Sequence, residues 1–325
     1  MLDSSHLIKG NSFDEIFGQL LHQLLNKPMN VCSPRGSKIN ENICTTLILE
    51  DPRSRLLGSA SRAANYGFAV GEFLWYWQGK KDLSTMSYYN KRMNSFSNDG
   101  HTLNSAYGYR LKKRFFFANE TAPGQGHTQW ETTKRTLLED QSSRRAVMSI
   151  NQPEDEVAAM SGHGSKDVPC TLSLQFFIRN NKLDLHVHMR SNDVMWGLTY
   201  DLFSFTLFQE CMLLELKDAG LKDLSLGRYY HSAGSMHLYE QHFEQAKNIL
   251  SEYKFSNEEC TMNWTHPQYP IDSIKNLDYV CEYEAELRTR NARHNVGRAE
   301  LGETERWMIE ELTKHKDKRI REENS

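Results

Sequence analysis

VPCTLSLQFFIRNNKLDLHVHMRSNDV, residues 168–194, holds two strand-like runs back to back. Thr171–Ile178 (TLSLQFFI) is rich in β-branched and aromatic residues, and Leu183–Met189 (LDLHVHM) alternates apolar with polar positions. Arg179–Lys182 (RNNK) joins them, and two adjacent asparagines in so short a connection predict a tight hairpin. Cys170 stands between a proline and the first strand, where it is held rigidly and can face a cleft; taken alone it reads more readily as a core thiol. Arg190 and Ser191 follow the second strand and together offer an anion a fork of N–H donors and a hydroxyl.

Further arginines occur in loop-like settings: Arg144 and Arg145 in SSRRAV, and Arg35 in SPRGS. With Arg190 they suit a phosphate site. Positive charge of this kind also lowers the pKa of a nearby cysteine. His186 and His188 share a strand face, but no third ligand stands at a metal-site spacing, so no metal is assigned. P-loop, G-x-G-x-x-G and H-E-x-x-H patterns are missing from the sequence.

Around this centre the sequence is mostly helical. Residues 11–27 carry apolar positions at helical spacing behind Asn11 or Ser12 as N-cap. Residues 66–78 (YGFAVGEFLWYWQ) predict a buried helix with one inward carboxylate, Glu72. Residues 129–140 suit a polar-faced helix and 200–216 a long apolar one. LSLGRYYHSAGSMHLYEQHF reads as a strand, a glycine-rich turn and a helix start. From Cys281 the composition changes: the last 45 residues hold 11 acidic and 10 basic side chains, and Glu303–Lys318 predicts a solvated helix with Trp307 as its docking point.

The balance of 39 basic against 42 acidic residues argues against a general nucleic-acid binder. The sequence has no run of ~20 apolar residues, and MLDSSHLIKG lacks the basic-then-apolar order of a signal peptide, so the expectation is a cytoplasmic chain. The six cysteines form no C-x-x-C pair and read as reduced thiols.

In combination these segments resemble thymidylate synthase and the pyrimidine nucleotide hydroxymethylases. SPRG at Arg35 is similar to the family's phosphate-loop motif, and EFLWYWQG (Glu72–Gly79) to its E-L-L-W-F-L-x-G helix. NSAYGYR at Tyr107 resembles P-x-Y-G-x-x-W, and Ser143–Arg145 resembles D-S-R-R. VPC at Cys170 resembles A-P-C, MRSNDV resembles Q-R-S-x-D, and GSMHLY (Gly234–Tyr239) resembles G-D-x-H-x-Y. The segments run in family order across roughly residues 30–245.

The resemblance implies an α+β thymidylate synthase fold: a large mixed β-sheet flanked by helices, pairing sheet face to sheet face in a homodimer. It implies a catalytic domain over residues 1–280 and a charged, helical extension over 281–325. Cys170 would be the nucleophile that adds to pyrimidine carbon 6. Arg35, Arg190 and Ser191 would hold the nucleotide phosphate, reached by Arg144 and Arg145 from the second subunit. His237 and Tyr239 would bond the sugar 3′-hydroxyl. Glu72 and Tyr107 would organise water and proton transfer. Asp193 would lie near the base and the folate, and Asn192 matches the deoxycytidylate hydroxymethylases of T-even phages. The implied co-substrate is 5,10-methylenetetrahydrofolate.

The departures from the synthase pattern select among activities. Eight residues after Asp193, where thymidylate synthase has an asparagine that reads uracil, this chain has Asp201. Cytosine presents a 4-amino donor and an N3 acceptor, and a carboxyl group meets both. The stretch MSYYNKRMNSFSND lacks the tryptophan that lies near the transferred carbon in the synthase, the synthase's closing C-terminal segment is not recognisable, and Thr171 replaces a histidine. The expectation is 5-hydroxymethylation of a cytidine monophosphate, dCMP before CMP. A reductive methylating synthase and an idle nucleotide-binding homologue are the alternatives.

Overall fold

The computed structural model describes residues 6–116, 126–160, 164–255, 260–262, 274–289 and 301–323. In chain order the elements used below are β1 (Leu7–Gly10), α1 (Phe13–Asn26), β2 (Asn30–Cys32), β3 (Ile39–Leu49), α2 (Tyr66–Trp77), α3 (Leu83–Tyr89) and α4 (Tyr107–Lys112). They continue with β4 (Thr171–Arg179), β5 (Lys182–Met189), β6 (Asn192–Asp193), α5 (Leu198–Asp218), β7 (Ser225–Tyr239), α6 (Phe243–Leu250), α7 (Leu277–Thr289) and α8 (Glu303–Glu323). The chain divides into two compact units: Met1–Ala64 with Thr136–Val147 and Cys170–Tyr269, and Asn65–Arg135 with Met148–Pro169 and Pro270–Ser325.

The first unit is built on a mixed sheet in which β1, β3, β7, β5 and β4 lie side by side, with β2 on β3 and β6 on β7. β1 runs parallel to β3, β3 antiparallel to β7, β7 parallel to β5, and β5 antiparallel to β4. The β4–β5 hairpin closes as the asparagine pair predicts. Asn180 and Asn181 both take positive φ, 51° and 55°, the twist that matches two strands joined by two residues. Alternate residues Leu174, Phe176, Ile178, Leu183, Leu185 and Val187 are buried, and α5 lies against β5 and β7. α1 packs on β3, and Ser12 caps it by accepting from the Glu15 N–H at 3.3 Å. Inside this unit Glu210 of α5 is buried and answered by two arginines, Arg55 at 2.6 Å and Arg53 at 3.2 Å.

One expectation fails here. The glycine-rich turn read into LSLGRYYHSAGSMHLY does not form; Ser225–Tyr239 is one strand of 15 residues. Gly234 is a point of close approach instead. A Cβ there would stand 2.9 Å from the Arg190 carbonyl oxygen, which accepts from the Ser235 N–H at 3.1 Å. The glycine lets β7 run against the Arg190 backbone.

The second unit centres on α2, whose interior residues Phe68, Val70, Phe73 and Leu74 are buried. α8 packs along α2 and α7. The helix expected over Glu303–Lys318 is present, and Trp307 docks edge-on to Tyr66 at 5.5 Å. It is not merely solvated, however. Met308 and Leu312 are fully buried, and the Glu305 carboxylate accepts from the N–H groups of Lys275 and Asn276. Glu284 of α7, also buried, receives the Tyr89 hydroxyl at 2.9 Å and Arg288 at 2.8 Å. Alternating charges on the outer faces conceal this apolar stripe in the sequence.

Candidate active site

In the first unit the candidate residues gather where β4, β5, β6 and β7 meet. Cys170 precedes β4 and is half-buried, and its carbonyl accepts from the Arg190 N–H at 2.8 Å. The hairpin register therefore ties the candidate nucleophile to the candidate phosphate arginine through the backbone. Beyond Arg190, β6 pairs with β7 so that Asn192 faces Met236 and Asp193 faces His237. The Val194 N–H donates to the His237 carbonyl at 3.0 Å and extends the ladder.

His237 is 6% exposed, with its ring 5.1 Å from and nearly perpendicular to that of Tyr239. Tyr239 pairs with Ile39, which in turn faces Cys32 across the β2–β3 turn that carries Arg35. Arg35 is exposed and sits at φ 52°, in the left-handed region that few side chains occupy. Arg144 and Arg145 are exposed at the outer edge of β4, where the Arg144 carbonyl accepts from Gln175 at 2.9 Å. They lie beyond β5 and β4 from β7, not beside Arg35.

The segment after β6 folds back on itself. The Trp196 N–H caps Asp193 Oδ1 at 2.5 Å, and the Gly197 N–H donates to the Asp193 carbonyl at 3.0 Å. Burial raises the Asp193 pKa, against the pull of the Trp196 N–H and of His237 and His242. Its Oδ2 is buried with no hydrogen-bond partner. Asp201 follows in the first turn of α5. Asn192 Nδ2 donates to Asp201 Oδ2 at 2.7 Å, and burial pushes this carboxyl up to about 7 although that donor opposes the rise. A carboxyl titrating there can both accept and give a proton near neutral pH.

Behind Asp201, Tyr229 and His231 are fully buried and share a 2.9 Å hydrogen bond. Burial drives His231 down to about 3 and Tyr229 well up, the latter aided by the Asp201 charge. Arg62 completes the frame: buried, it donates to the Met195 carbonyl and to Thr199 Oγ1 at 3.4 Å. Sequence reading missed Arg62 and the Tyr229–His231 pair. Arg62 lies in SASRAAN, which has no periodicity, and its role depends on contacts more than 130 residues away.

The remaining candidates belong to the second unit. Glu72 lies half-buried on α2. Tyr107 opens α4 and stacks on Tyr76 at 5.3 Å, with the ring planes 10° apart.

A mixed sheet that gathers a cysteine, an arginine and two carboxyls raised by burial leads to a known family. The thymidylate synthase family profile matches residues 56–289, and the chain belongs to that family. It is 32% identical over 238 residues to the deoxyuridylate hydroxymethyltransferase of Bacillus phage SP01, an alignment covering 72% of this chain and 59% of that protein. It is 28% identical over 221 residues to the thymidylate synthase of Bacillus atrophaeus, covering 65% of this chain and 88% of that one. The chain thus spans about 59% of the length of its phage SP01 relative. The thermostable thymidylate synthase A from Bacillus subtilis superposes with a TM-score of 0.57 at 20% identity, over 75% of this chain and 86% of that one, and so shares the fold. No helix among the described residues is long and apolar enough to cross a membrane.

Proposed function

We propose that the chain hydroxymethylates carbon 5 of a cytidine monophosphate, dCMP before CMP. The observation that carries this reading is Asp201, a carboxyl pushed up to about 7 where the synthase pattern has an asparagine. Half of such a group is protonated at neutral pH, so it can give a proton to cytosine N3 while accepting from the 4-amino group. A proton shared with N3 draws electrons from carbon 6 and favours thiolate addition there.

5,10-Methylenetetrahydrofolate, when bound, supplies the one-carbon unit. The unpartnered Oδ2 of Asp193 suits the ring N–H donors of such a molecule. Cys170 is the nucleophile in this reading, and Arg35, Arg190 and Ser191 bind the phosphate. Arg144 and Arg145 serve the phosphate of a second copy, since they project at the far edge of β4. His237 and Tyr239 hold the sugar, and Glu72 and Tyr107 handle protons and water. Hydroxymethylation over methylation is supported by the relatives named hydroxymethyltransferases and by the absence of tryptophan from residues 86–99.

Those same relatives are named for deoxyuridylate, which favours dUMP as a second reading. Carbon-5 tritium release from labelled dCMP, CMP and dUMP decides between them, with absorbance following dihydrofolate. Release from dCMP or CMP without dihydrofolate is expected. Accompanying dihydrofolate would make the chain a methylating synthase, and release from dUMP alone would sink the Asp201 argument.

A further inference from the structure

Asn192 is 3% exposed on β6. Its Nδ2 donates to Asp201 Oδ2, while its Oδ1 is buried with no hydrogen-bond partner. The amide N–H₂ thus meets Asp201, and the amide carbonyl is left without a partner. Gly197 makes room for the pair: a Cβ there would stand 2.9 Å from Asn192 Nδ2 and 3.2 Å from Asp201 Oδ2. A buried carbonyl without a partner beside a carboxyl–amide pair calls for an explanation, and a ligand's donor supplies one.

We propose that Asn192 is a specificity-determining residue, whose Nδ2 fixes the Asp201 carboxyl and whose Oδ1 accepts from the exocyclic amine of a cytosine ring. The inference rests on the reading above, in which Asp201 faces the base. Cytosine's amine has two hydrogens, one for each member of the pair. Uracil would bring its O4 acceptor against the Asn192 carbonyl, and two acceptors without a donor repel.

The titratable groups around Asp201 are Tyr229 of β7, with His231 behind it, and Asp193 beside Asn192 on β6. Asn192 holds the Asp201 carboxyl down; without its N–H, Asp201 keeps its proton to higher pH. Turnover of dCMP that needs the protonated form therefore falls as pH rises through the Asp201 titration, and loss of Asn192 moves that fall upward.

The test is carbon-5 tritium release from dCMP and dUMP across neutral and alkaline pH, by the wild type, Asn192→Ala and the isosteric Asn192→Asp, with melting curves confirming that each variant folds. Asn192→Ala is expected to lower kcat/KM for dCMP roughly 10–100-fold, as one buried hydrogen bond does, with a much smaller change for dUMP. Its alkaline limb should move up by roughly one pH unit. Asn192→Asp should move that limb further, because two carboxyls in contact cannot both ionise readily. Equal losses on both bases with an unmoved limb would reduce Asn192 to a structural role. A wild type that prefers dCMP with a ratio unchanged in both variants would overturn this inference alone. A wild type active only on dUMP would overturn the parent reading and this inference with it.

Discussion

The first unit treats charge in two opposite ways. Arg35, Arg144, Arg145 and Arg190 are exposed, and solvent pays most of the cost of keeping them charged. Asp193 on β6, Asp201 on α5 and His231 on β7 have their protonation set by burial. A set of exposed cations attracts any phosphate and discriminates little. On the proposed reading, a carboxyl displaced to about 7 and braced by a buried amide discriminates between bases that exchange donor for acceptor at the 4-position and at N3. On that reading affinity and selectivity are separable, and variants can pull them apart.

The largest effect is expected at the residue both regions serve. Cys170→Ala should abolish carbon-5 tritium release, by at least ~10³-fold, while nucleotide binding followed by calorimetry persists. Retained turnover would remove covalent catalysis from the reading. Asp201→Asn should come next, shifting the dCMP-to-dUMP ratio of kcat/KM toward dUMP by roughly 100-fold. An unchanged ratio would show that the buried corner does not read the base.

Arg190→Ala should cost both nucleotides alike, roughly 10–100-fold in kcat/KM, and flatten the dependence on salt. A base-selective loss would break the proposed division of labour. The smallest effect concerns stability. The Asp201 carboxyl titrates near 7 when folded and at its ordinary value, 3.8, when unfolded. The folded chain therefore holds the extra proton between these values, so stability is full below about 4 and is lost as pH rises through about 7. Asp201→Asn escapes that loss. Its melting advantage over the wild type should grow between pH 5 and pH 8 to a few degrees, roughly 2–6 °C. An advantage independent of pH would mean that the carboxyl is not held away from water.

Local signals were readable where local physics decides. The Asn180–Asn181 turn needs positive φ at two successive residues, and asparagine tolerates it. α1 declares itself by apolar periodicity, α5 by its long apolar run, and Ser12 by its capping position. Gly234 was misread because its reason is the Arg190 carbonyl, a neighbour only once β7 and the β5–β6 connection are side by side. The burial of Met308 and Leu312 was hidden for a related cause. Along α8 charged residues outnumber the apolar stripe, and only the packing partners α2 and α7 show which face is covered.

By itself the sequence determined the hairpin, the long helices, the order of the family motifs and the presence of an aspartate at position 201. These follow from residue type and spacing, which act over a few positions along the chain. Only the tertiary structure decided that Asn192 donates to that aspartate, that Arg62 and the Tyr229–His231 pair frame it, and that its carboxyl titrates near neutrality. A pKa depends on how much water is excluded and which dipoles point inward, and both are set by segments brought together from far apart in the chain.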